Sequence, residues 1–350
     1  MYGYVDSKYD YLRKPLAGDY YRGEYKVYLN LYSLAPPVRA AIKEGKKDPL
    51  PGWGPTTKDV INTFDSFKWA KEIGTEYIDP AFYFVPGYDD FAMPSEKEKL
   101  QIKNRVLELK SFSADLGIKS ISTGIKNDFC TSDTARLERD LERAKFYLEM
   151  SELLGAEMMR VFVGEIPDDI ETMGFERVAN ERFVNCIKEL SSYCSGKGLK
   201  CMVAYQNHGD FLSTGNQVLY VADKLSDCRN VGFINDTGHY RPFGSPTADD
   251  YPWYDDIVKC LPITVAFQVK QKPAGAESKG PLIDLNLFFR YLRMSKYRGP
   301  VSLEMLWREI DGVFPPKCAN PIEEYKKQTL KFLNEVRAAE MASREMKPVD

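Results

Sequence analysis

Four side chains that carry oxygen atoms stand at the carboxyl ends of short apolar runs in the second half of the sequence. They are Gln206, Asp236, Gln268 and Glu304, and they lie 30, 32 and 36 residues apart. This spacing is typical of one strand–helix unit, and the strand ends of a parallel βα barrel converge on the face where active sites lie. Four oxygen donors meeting there predict a site for a hard cation or for a polyhydroxylated substrate.

The two histidines and two of these acids are the residues most suited to catalysis. The chain has only two histidines, His208 in YQNHGDF and His239 in NDTGHYR, and both directly follow predicted strand ends. Their position beside Asp236 favours a functional role for both. Asp236 and Glu304 end apolar runs, where a buried carboxylate must be paired, bound to metal or catalytic. A buried glutamine, by contrast, can simply brace a loop.

Further polar and aromatic residues follow the predicted strands and are candidates for substrate contacts. Lys270 shares the strand face of Gln268, so its ammonium could hold a sugar oxygen or stabilise a developing enolate. An exposed loop lysine is the alternative. Arg160 is expected to point into the barrel and to support the site by pairing with a carboxylate. The remaining candidates, for which ordinary packing at the rim is the alternative, are Asn127, Glu165, Tyr205 and Trp307.

Several helix-like segments end in a glycine that leads at once into an apolar run. Gly117, Gly155 and Gly198 are examples, 38 and 43 residues apart, and glycine just past a helix accepts the left-handed backbone that caps the last turn. The predicted strands are 26–33, 76–80, 118–123, 158–163, 200–205, 231–235, 263–269 and 300–304. The predicted helices are 57–73, 95–115, 134–154, 175–196, 214–225, 247–260, 282–294 and 321–340. Eight alternations favour an α/β fold of the closed (β/α)8 type, a TIM barrel, over a doubly wound sheet.

The barrel is expected to form a single domain over residues 26–340, with an N-terminal extension at 1–25 and a C-terminal tail at 341–350. Two stretches interrupt the pattern: a Pro- and Gly-rich insertion at 34–56 and the segment QKPAGAESKGP at 271–281. Both are expected on the face where barrel loops build the active site. A lid, a substrate contact and an ordinary surface loop are the alternatives for each.

Composition restricts the partners and the compartment. The chain has 350 residues, of which 43% are hydrophobic and 13% aromatic, enough for a large core. A net charge of −3 points to neither nucleic acid nor a lipid surface, and seven cysteines without a CxxC pair are typical of reduced core thiols. No apolar run is long enough to span a membrane, and the first 25 residues lack a signal peptide's apolar core. The cytoplasm is the expected compartment, unless a leader peptide has been removed from the sequence. Both a monomer and a homo-oligomer are open alternatives.

The strand-end motifs resemble those of the sugar phosphate isomerase/epimerase family, the xylose-isomerase-like TIM barrels. The resemblance covers roughly residues 57–340 and rests on GIKSISTGIKNDF, LLGAEMMRVFVG, VAYQNHGDF, NDTGHYR, FQVKQK and YRGPVSLE. Members of that family typically bind one divalent metal ion through Glu, Asp, His and Glu on strands 5 to 8. The resemblance therefore implies that Gln206, Asp236, Gln268 and Glu304 occupy the metal positions, as a variant with glutamine at two of them.

The two glutamines change the metal chemistry that the resemblance implies. Gln206 lowers the negative charge around a cation, and Gln268 replaces a nitrogen ligand by an oxygen. Such a set of oxygens prefers Mn²⁺ or Mg²⁺ to zinc and holds it more weakly. The family's DNA-repair endonucleases need a trinuclear zinc site with more histidines than this chain has, so nucleic acid is not an expected partner.

The expected reaction is proton abstraction next to a carbonyl group of a small carbohydrate. The resemblance implies two opposed glutamates in epimerases, of which only Glu304 is present here, with His239 or His208 as the acid. The predicted function is a sugar isomerase, epimerase or keto-sugar lyase, assisted by the divalent metal. The alternative is a barrel that binds carbohydrate without turnover through a degenerate metal site, and unrelated chemistry such as hydrolysis is a third reading.

Overall fold

The computed structural model describes residues 20–45, 52–243, 253–271, 283–305 and 319–346. Within them, nine parallel strands form one sheet. The strands are β1 Val27–Asn30, β2 Tyr77–Asp79, β3 Lys119–Ser120, β4 Ser122–Gly124, β5 Met158–Phe162, β6 Met202–Gln206, β7 Val231–Asp236, β8 Thr264–Lys270 and β9 Val301–Glu304.

The sheet closes into a barrel through one segment of the chain. The strand order is β3-β2-β1-β9-β8-β7-β6-β5-β4, so β3 and β4 stand at the two ends of the sheet. In sequence they are separated only by Ile121, whose N–H donates to Ile78 O in β2 at 2.9 Å and whose carbonyl accepts from Met158 N in β5 at 3.1 Å. The predicted TIM barrel is thus confirmed, with its third strand split in two.

Helices cover the outside of the barrel. They are α1 Ala35–Gly45, α2 Thr63–Glu72, α3 Glu96–Leu116, α4 Thr134–Leu154, α5 Ile170–Met173, α6 Phe175–Val178, α7 Asn185–Lys197, α8 Gly215–Lys224, α9 Trp253–Cys260, α10 Leu285–Met294 and α11 Pro321–Ser343, with a π-helical segment at Ala179–Val184. The predicted caps are present: Ser95, Asp133 and Thr214 each accept a backbone N–H of the helix that follows. None of the described helices combines the length and the apolar composition needed to cross a bilayer.

Two details at the start of the barrel differ from the prediction. The stretch 34–56, predicted as a Pro- and Gly-rich insertion, contains the unpredicted helix α1, because its two prolines fall in the first helical turn, where no backbone donor is lost. The helix predicted at 57–73 begins only at Thr63, after Asn62, whose side chain accepts from Asp65 N at 2.8 Å. The rest of that insertion at 46–51, most of the segment 271–281, Trp307, and residues 1–19 and 347–350 lie outside the described residues.

A small core inside the barrel sets the position of the site. Its buried members come from the strands and from the link between β3 and β4, and they are separate from the larger core between sheet and helices: Tyr28, Ile121, Met158, Ala204, Ile234 and Ala266. Because side chains alternate along a strand, the residue two positions later points the same way. At the carboxyl ends of five strands those residues are Asn30, Arg160, Gln206, Asp236 and Gln268. Above its apolar layer, the barrel interior is therefore lined with polar side chains.

The left-handed cap at Gly198 can be tested against a second glycine in the same helix. Gly198 ends α7 with φ 67°, and a Cβ added there or at Gly196 meets no atom within 4 Å. We expect Gly198→Ala to lower the free energy of unfolding by about 1–2 kcal/mol, since an L side chain disfavours this backbone. Gly196→Ala should raise it by about 0.5–1 kcal/mol, since alanine is the better helix residue. Urea unfolding measures both, and a shift of the same sign in the two variants would contradict the cap.

Candidate functional site

An ammonium group lies between two buried carboxylates at the carboxyl ends of the strands. Lys270 Nζ contacts Asp236 Oδ2 at 2.7 Å and Glu304 Oε1 at 3.2 Å. It also lies 2.8 Å from His239 Nε2. The strand register brings the three charges together, because Lys270 lies beside Glu304 in the β8–β9 pair and Asp236 lies beside Gln268 in the β7–β8 pair. Asp236, Lys270 and Glu304 are at most 3% exposed.

The three charged groups shift one another's pKa values. Burial raises the pKa of Asp236 and of Glu304 above their ordinary values, and the Lys270 ammonium acts in the opposite direction. Burial alone would lower the pKa of Lys270, but Asp236 and Glu304 reverse this and raise it. Lys270 is therefore a cation at neutral pH, and the two acids are held by it.

A chain of hydrogen bonds fixes the orientation of both glutamine amides. Arg160 donates to Gln206 Oε1 at 3.2 Å. Gln206 Nε2 in turn donates to Asp236 Oδ2 at 2.8 Å and to Gln268 Oε1 at 2.9 Å, and Gln268 Nε2 donates to Glu304. A guanidinium has no acceptor atom, so Gln206 must present its oxygen to Arg160 and its NH₂ group to the centre. Gln268 then has the same polarity, and both amides face the carboxylates as donors.

This donor set does not fit a divalent metal ion. The NH₂ groups of Gln206 and Gln268 cannot act as ligands, and the centre between the carboxylates is filled by Lys270 Nζ. Lys270 and the nearby Arg160 already place two positive charges beside Asp236 and Glu304. Within the described ranges no three His, Cys, Asp or Glu side chains are grouped as a metal site would require.

The two histidines lie side by side next to the ammonium. Their ring centroids are 4.0 Å apart, and the Phe162 ring lies 4.2 Å from that of His208. Burial and neighbouring positive charges lower the pKa of both imidazoles well below the usual value, so both are neutral at pH 7. An ammonium can only donate, so His239 Nε2 accepts and the proton sits on Nδ1. That buried Nδ1 has no partner in the described part of the chain, which leaves a free N–H donor beside the centre.

Two asparagines that the sequence reading passed over hold the acids in place. Asn207 Nδ2 donates to Asp236 O at 3.0 Å, and Asn207 Oδ1 accepts from Asp236 N at 2.8 Å. Asn30 Nδ2 donates to Glu304 Oε2 at 3.4 Å. Asn30 ends β1 as the other site residues end their strands. The search for polar residues at strand ends, which predicted the others, therefore also applies to Asn30.

The structure brings seven of the predicted site residues together: Gln206, His208, Asp236, His239, Gln268, Lys270 and Glu304. Of the other predicted residues, Arg160 joins the site through its hydrogen bond to Gln206, and the rest lie elsewhere. Asn127 exchanges two hydrogen bonds with the backbone of Phe162, at 2.7 and 2.8 Å, and so braces the end of β5. Glu165 is exposed beyond that strand. The Tyr205 ring packs outward against Phe183 and Phe233, and Trp307 is outside the described residues. The roles of all these residues stay predictions.

Comparison with known proteins gives a family match and fold matches. The sequence profile of the xylose isomerase-like TIM barrel family matches residues 67–336, whereas a search of curated proteins finds no match. Among solved structures, 3-keto-D-glucoside 4-epimerase from E. coli aligns with a TM-score of 0.56 at 13% identity, over 89% of this chain and 100% of that one.

Two further solved structures have the same fold. D-psicose 3-epimerase from Clostridium cellulolyticum H10, solved with D-tagatose, aligns with a TM-score of 0.56 at 14% identity, over 83% of this chain and 95% of that one. The IolI protein, solved with a bound zinc atom, aligns with a TM-score of 0.57 at 14% identity, over 92% and 100%. At these identities the likenesses show the fold alone.

The orientation of the Gln206 amide can be tested by a change to glutamate. A carboxylate cannot donate to Asp236 or Gln268 and adds a negative charge beside an existing one. We therefore expect Gln206→Glu to lower the free energy of unfolding by about 3 kcal/mol at pH 8 in the presence of EDTA.

Gln217→Glu is the matched control for this change. Gln217 accepts through its side-chain oxygen from Ser213 N and from Thr214 N and Oγ1, at 3.0–3.1 Å, in the first turn of α8. A carboxylate accepts these bonds equally well and suits a helix start, so its effect should be neutral or stabilising. Urea unfolding compares the two variants, and a Gln206→Glu protein as stable as the control would contradict the assigned orientation.

Proposed function

The chain belongs to the xylose isomerase-like TIM barrel family, and on that premise we propose that it is a sugar isomerase or keto-sugar lyase that removes a proton next to a carbonyl group. One observation carries the proposal: a buried carboxylate, Glu304, and a buried ammonium, Lys270, lie in contact at the carboxyl ends of the barrel strands. A base and a fixed positive charge side by side are what enolisation of a keto-sugar requires.

Glu304 is the proposed base. Burial raises the pKa of its carboxyl group above the usual value. A pKa closer to the working pH makes a general base more effective. Asn30 Nδ2 and Gln268 Nε2 donate to its Oε2, and Lys270 contacts its Oε1. The carboxylate is thus held from two sides, and Oε1, whose contact with Lys270 is the longer one at 3.2 Å, is the oxygen proposed to take the proton.

Lys270 and His239 are the proposed electrophiles. As Glu304 takes the proton, the electron pair moves onto the carbonyl oxygen, which becomes an enediolate oxygen and needs hydrogen-bond donors. The Lys270 ammonium supplies one. The unpartnered His239 Nδ1–H faces away from Lys270, because Nε2 of the same ring accepts from that ammonium, so it is a donor for a more distant oxygen of the ligand. A neutral imidazole suits this role, because it donates a hydrogen bond without giving up its proton completely. His208 then acts by holding the His239 ring in place.

The number of side chains that can carry a proton decides which reaction is favoured. Protonated Glu304 can deliver its proton to the adjacent carbon on the same face, which completes an isomerisation, and a β-elimination also needs only one base. Epimerisation requires a proton from the opposite face, and there the resemblance implies a glutamate where Gln206 stands. An amide cannot carry that proton. We therefore favour isomerisation or elimination, and no step is assigned to a divalent metal, since the donor set does not fit one.

A second candidate function is a barrel that binds a small carbohydrate without turnover. The same contacts support it, since Lys270 forms ion pairs with both Asp236 and Glu304 and so holds the two acids without any substrate. The two functions differ in whether a carbon-bound proton of the ligand exchanges with water. Location in the cytoplasm and association into a homo-oligomer stay predictions.

Exchange of substrate protons with solvent tests the proposed base directly. Keto-sugars and aldoses are incubated with the protein in D₂O, and the proton next to the carbonyl is followed by ¹H NMR. We expect the wild type to replace that proton by deuterium and Glu304→Gln to slow the exchange by about 10²-fold or more, since it removes a general base.

Glu157→Gln serves as the control, because Glu157 is an exposed glutamate at the opposite, amino-terminal end of β5. Its exchange rate should equal that of the wild type. Exchange that survives in Glu304→Gln would remove Glu304 from the mechanism. Saturable sugar binding without any exchange in the wild type would favour the binding barrel.

A further inference from the structure

We propose that Lys270 is the resident cation of this barrel, and that its ammonium takes the place a divalent metal ion would occupy between Asp236 and Glu304. The protein would then neither bind nor need a divalent metal at this centre. As a statement about catalysis the proposal rests on the proposed function, since it names the charge that stabilises the enediolate. As a statement about binding it stands on the geometry of the site.

Lys270 has an acceptor for each of its three N–H donors. An ammonium has three N–H donors, and Lys270 Nζ has three acceptors in the structure: Asp236 Oδ2 at 2.7 Å, His239 Nε2 at 2.8 Å and Glu304 Oε1 at 3.2 Å. The acceptors come from β7, from the loop after it and from β9. The group is thus surrounded in the way that ligands surround an ion, and it lies where the two carboxylates of the site converge.

The charge balance points the same way. Lys270 and Arg160 are two buried cations beside the carboxyl groups of Asp236 and Glu304, all of them at most 4% exposed, and the buried Asp79 also interacts with Arg160. A divalent ion added to this set would bring two further positive charges next to two buried cations. It would also lie against the ammonium. Metal binding would therefore require Lys270 to leave the centre.

The polarity of the amides is a third, independent feature. Gln206 and Gln268 stand where metal ligands are implied, but both direct NH₂ groups at the carboxylates. Arg160 fixes this polarity at one end of the chain, because it must find an acceptor in Gln206 Oε1. Turning the amides round to offer oxygen to a metal would leave the guanidinium facing an NH₂ group. The site is thus built around a cation that accepts nothing and donates three hydrogen bonds.

The longest of the three contacts is the one that a substrate oxygen would most readily replace. The distance from Lys270 Nζ to Glu304 Oε1 is 3.2 Å, against 2.7 and 2.8 Å for the other two. A substrate oxygen that replaced Glu304 at the ammonium would gain a donor and, at the same time, free a carboxylate oxygen beside it. Lys270 would thereby couple binding of the carbonyl group to release of the base.

Metal binding by the wild-type protein is the first test. The protein is treated with EDTA, desalted and titrated with MnCl₂ in a calorimeter, and its thermal midpoint is compared in EDTA and in 1 mM MnCl₂. We expect no binding isotherm and no shift of the midpoint. Micromolar Mn²⁺ binding that Asp236→Asn abolishes would overturn the proposal, because it would place the metal at this centre.

Removal of the ammonium is the second test. Lys270→Ala leaves two carboxylates and an empty space between them, so we expect this variant to give a Mn²⁺ binding isotherm that the wild type lacks and a higher thermal midpoint with the metal. Lys259→Ala is the control, since Lys259 pairs with Asp256 outside the site at 3.4 Å, and it should behave as the wild type. A folded Lys270→Ala protein that gains no affinity would contradict the proposal, and the wild-type titration decides alone if that variant does not fold.

These readouts also separate the two proposals. Deuterium exchange that continues unchanged in EDTA supports both the proton-transfer function and the resident ammonium. Absence of exchange under all conditions removes the proposed function, whereas the calorimetric result still decides whether Lys270 occupies the metal position. Exchange that EDTA abolishes and MnCl₂ restores would retain the function and overturn the resident cation.

Discussion

The contact of the Lys270 ammonium with the carboxylates of Asp236 and Glu304 is the interaction on which the rest of the site depends. A carboxylate moved from water into a protein interior is strongly destabilised unless a counter-charge and hydrogen bonds replace its hydration. At the strand ends of this barrel two carboxylates are buried together, so each also repels the other. Lys270 Nζ touches both, at 2.7 and 3.2 Å. Without it, either the acids would be protonated or another cation would have to take its place.

The amides extend this constraint across the barrel. A series of hydrogen bonds runs from Arg160 through Gln206 and Gln268 to Glu304, and in each bond the earlier residue is the donor. The direction of the series is set by Arg160, because a guanidinium can only donate. Networks of this kind stabilise a structure only when every member is satisfied. Glutamine is well suited to this chain, since it accepts at one end and donates at the other, whereas a glutamate in the same place could only accept.

The sequence predicts where the site lies better than it predicts the contacts between the side chains of the site. A strand period of two, a strand–helix unit of regular length and the convergence of strand ends suffice to bring Gln206, Asp236, Gln268 and Glu304 together. The direction of an amide and the reach of a lysine are set by neighbours from other strands, which spacing does not reveal. Lys270 therefore looked equally like a loop lysine, and Tyr205 like a rim residue although it packs outward. The helix α1 was missed because two prolines suggest a break unless their place in the first turn is known.

A barrel that uses a lysine in place of a metal ion differs in the amount of positive charge and in how that charge is held. A divalent ion offers more charge and open ligand positions, and its affinity links activity to the supply of metal. An ammonium offers one charge, but it is attached to the chain and its stem can follow a substrate oxygen over a short distance. The smaller charge stabilises an enediolate less, and a second donor becomes more important. Lys270 occupies Nε2 of His239 and so leaves the proton on the unpartnered Nδ1, on the side of the ring that faces away from the ammonium. The lysine thus also sets the tautomer of the imidazole beside it.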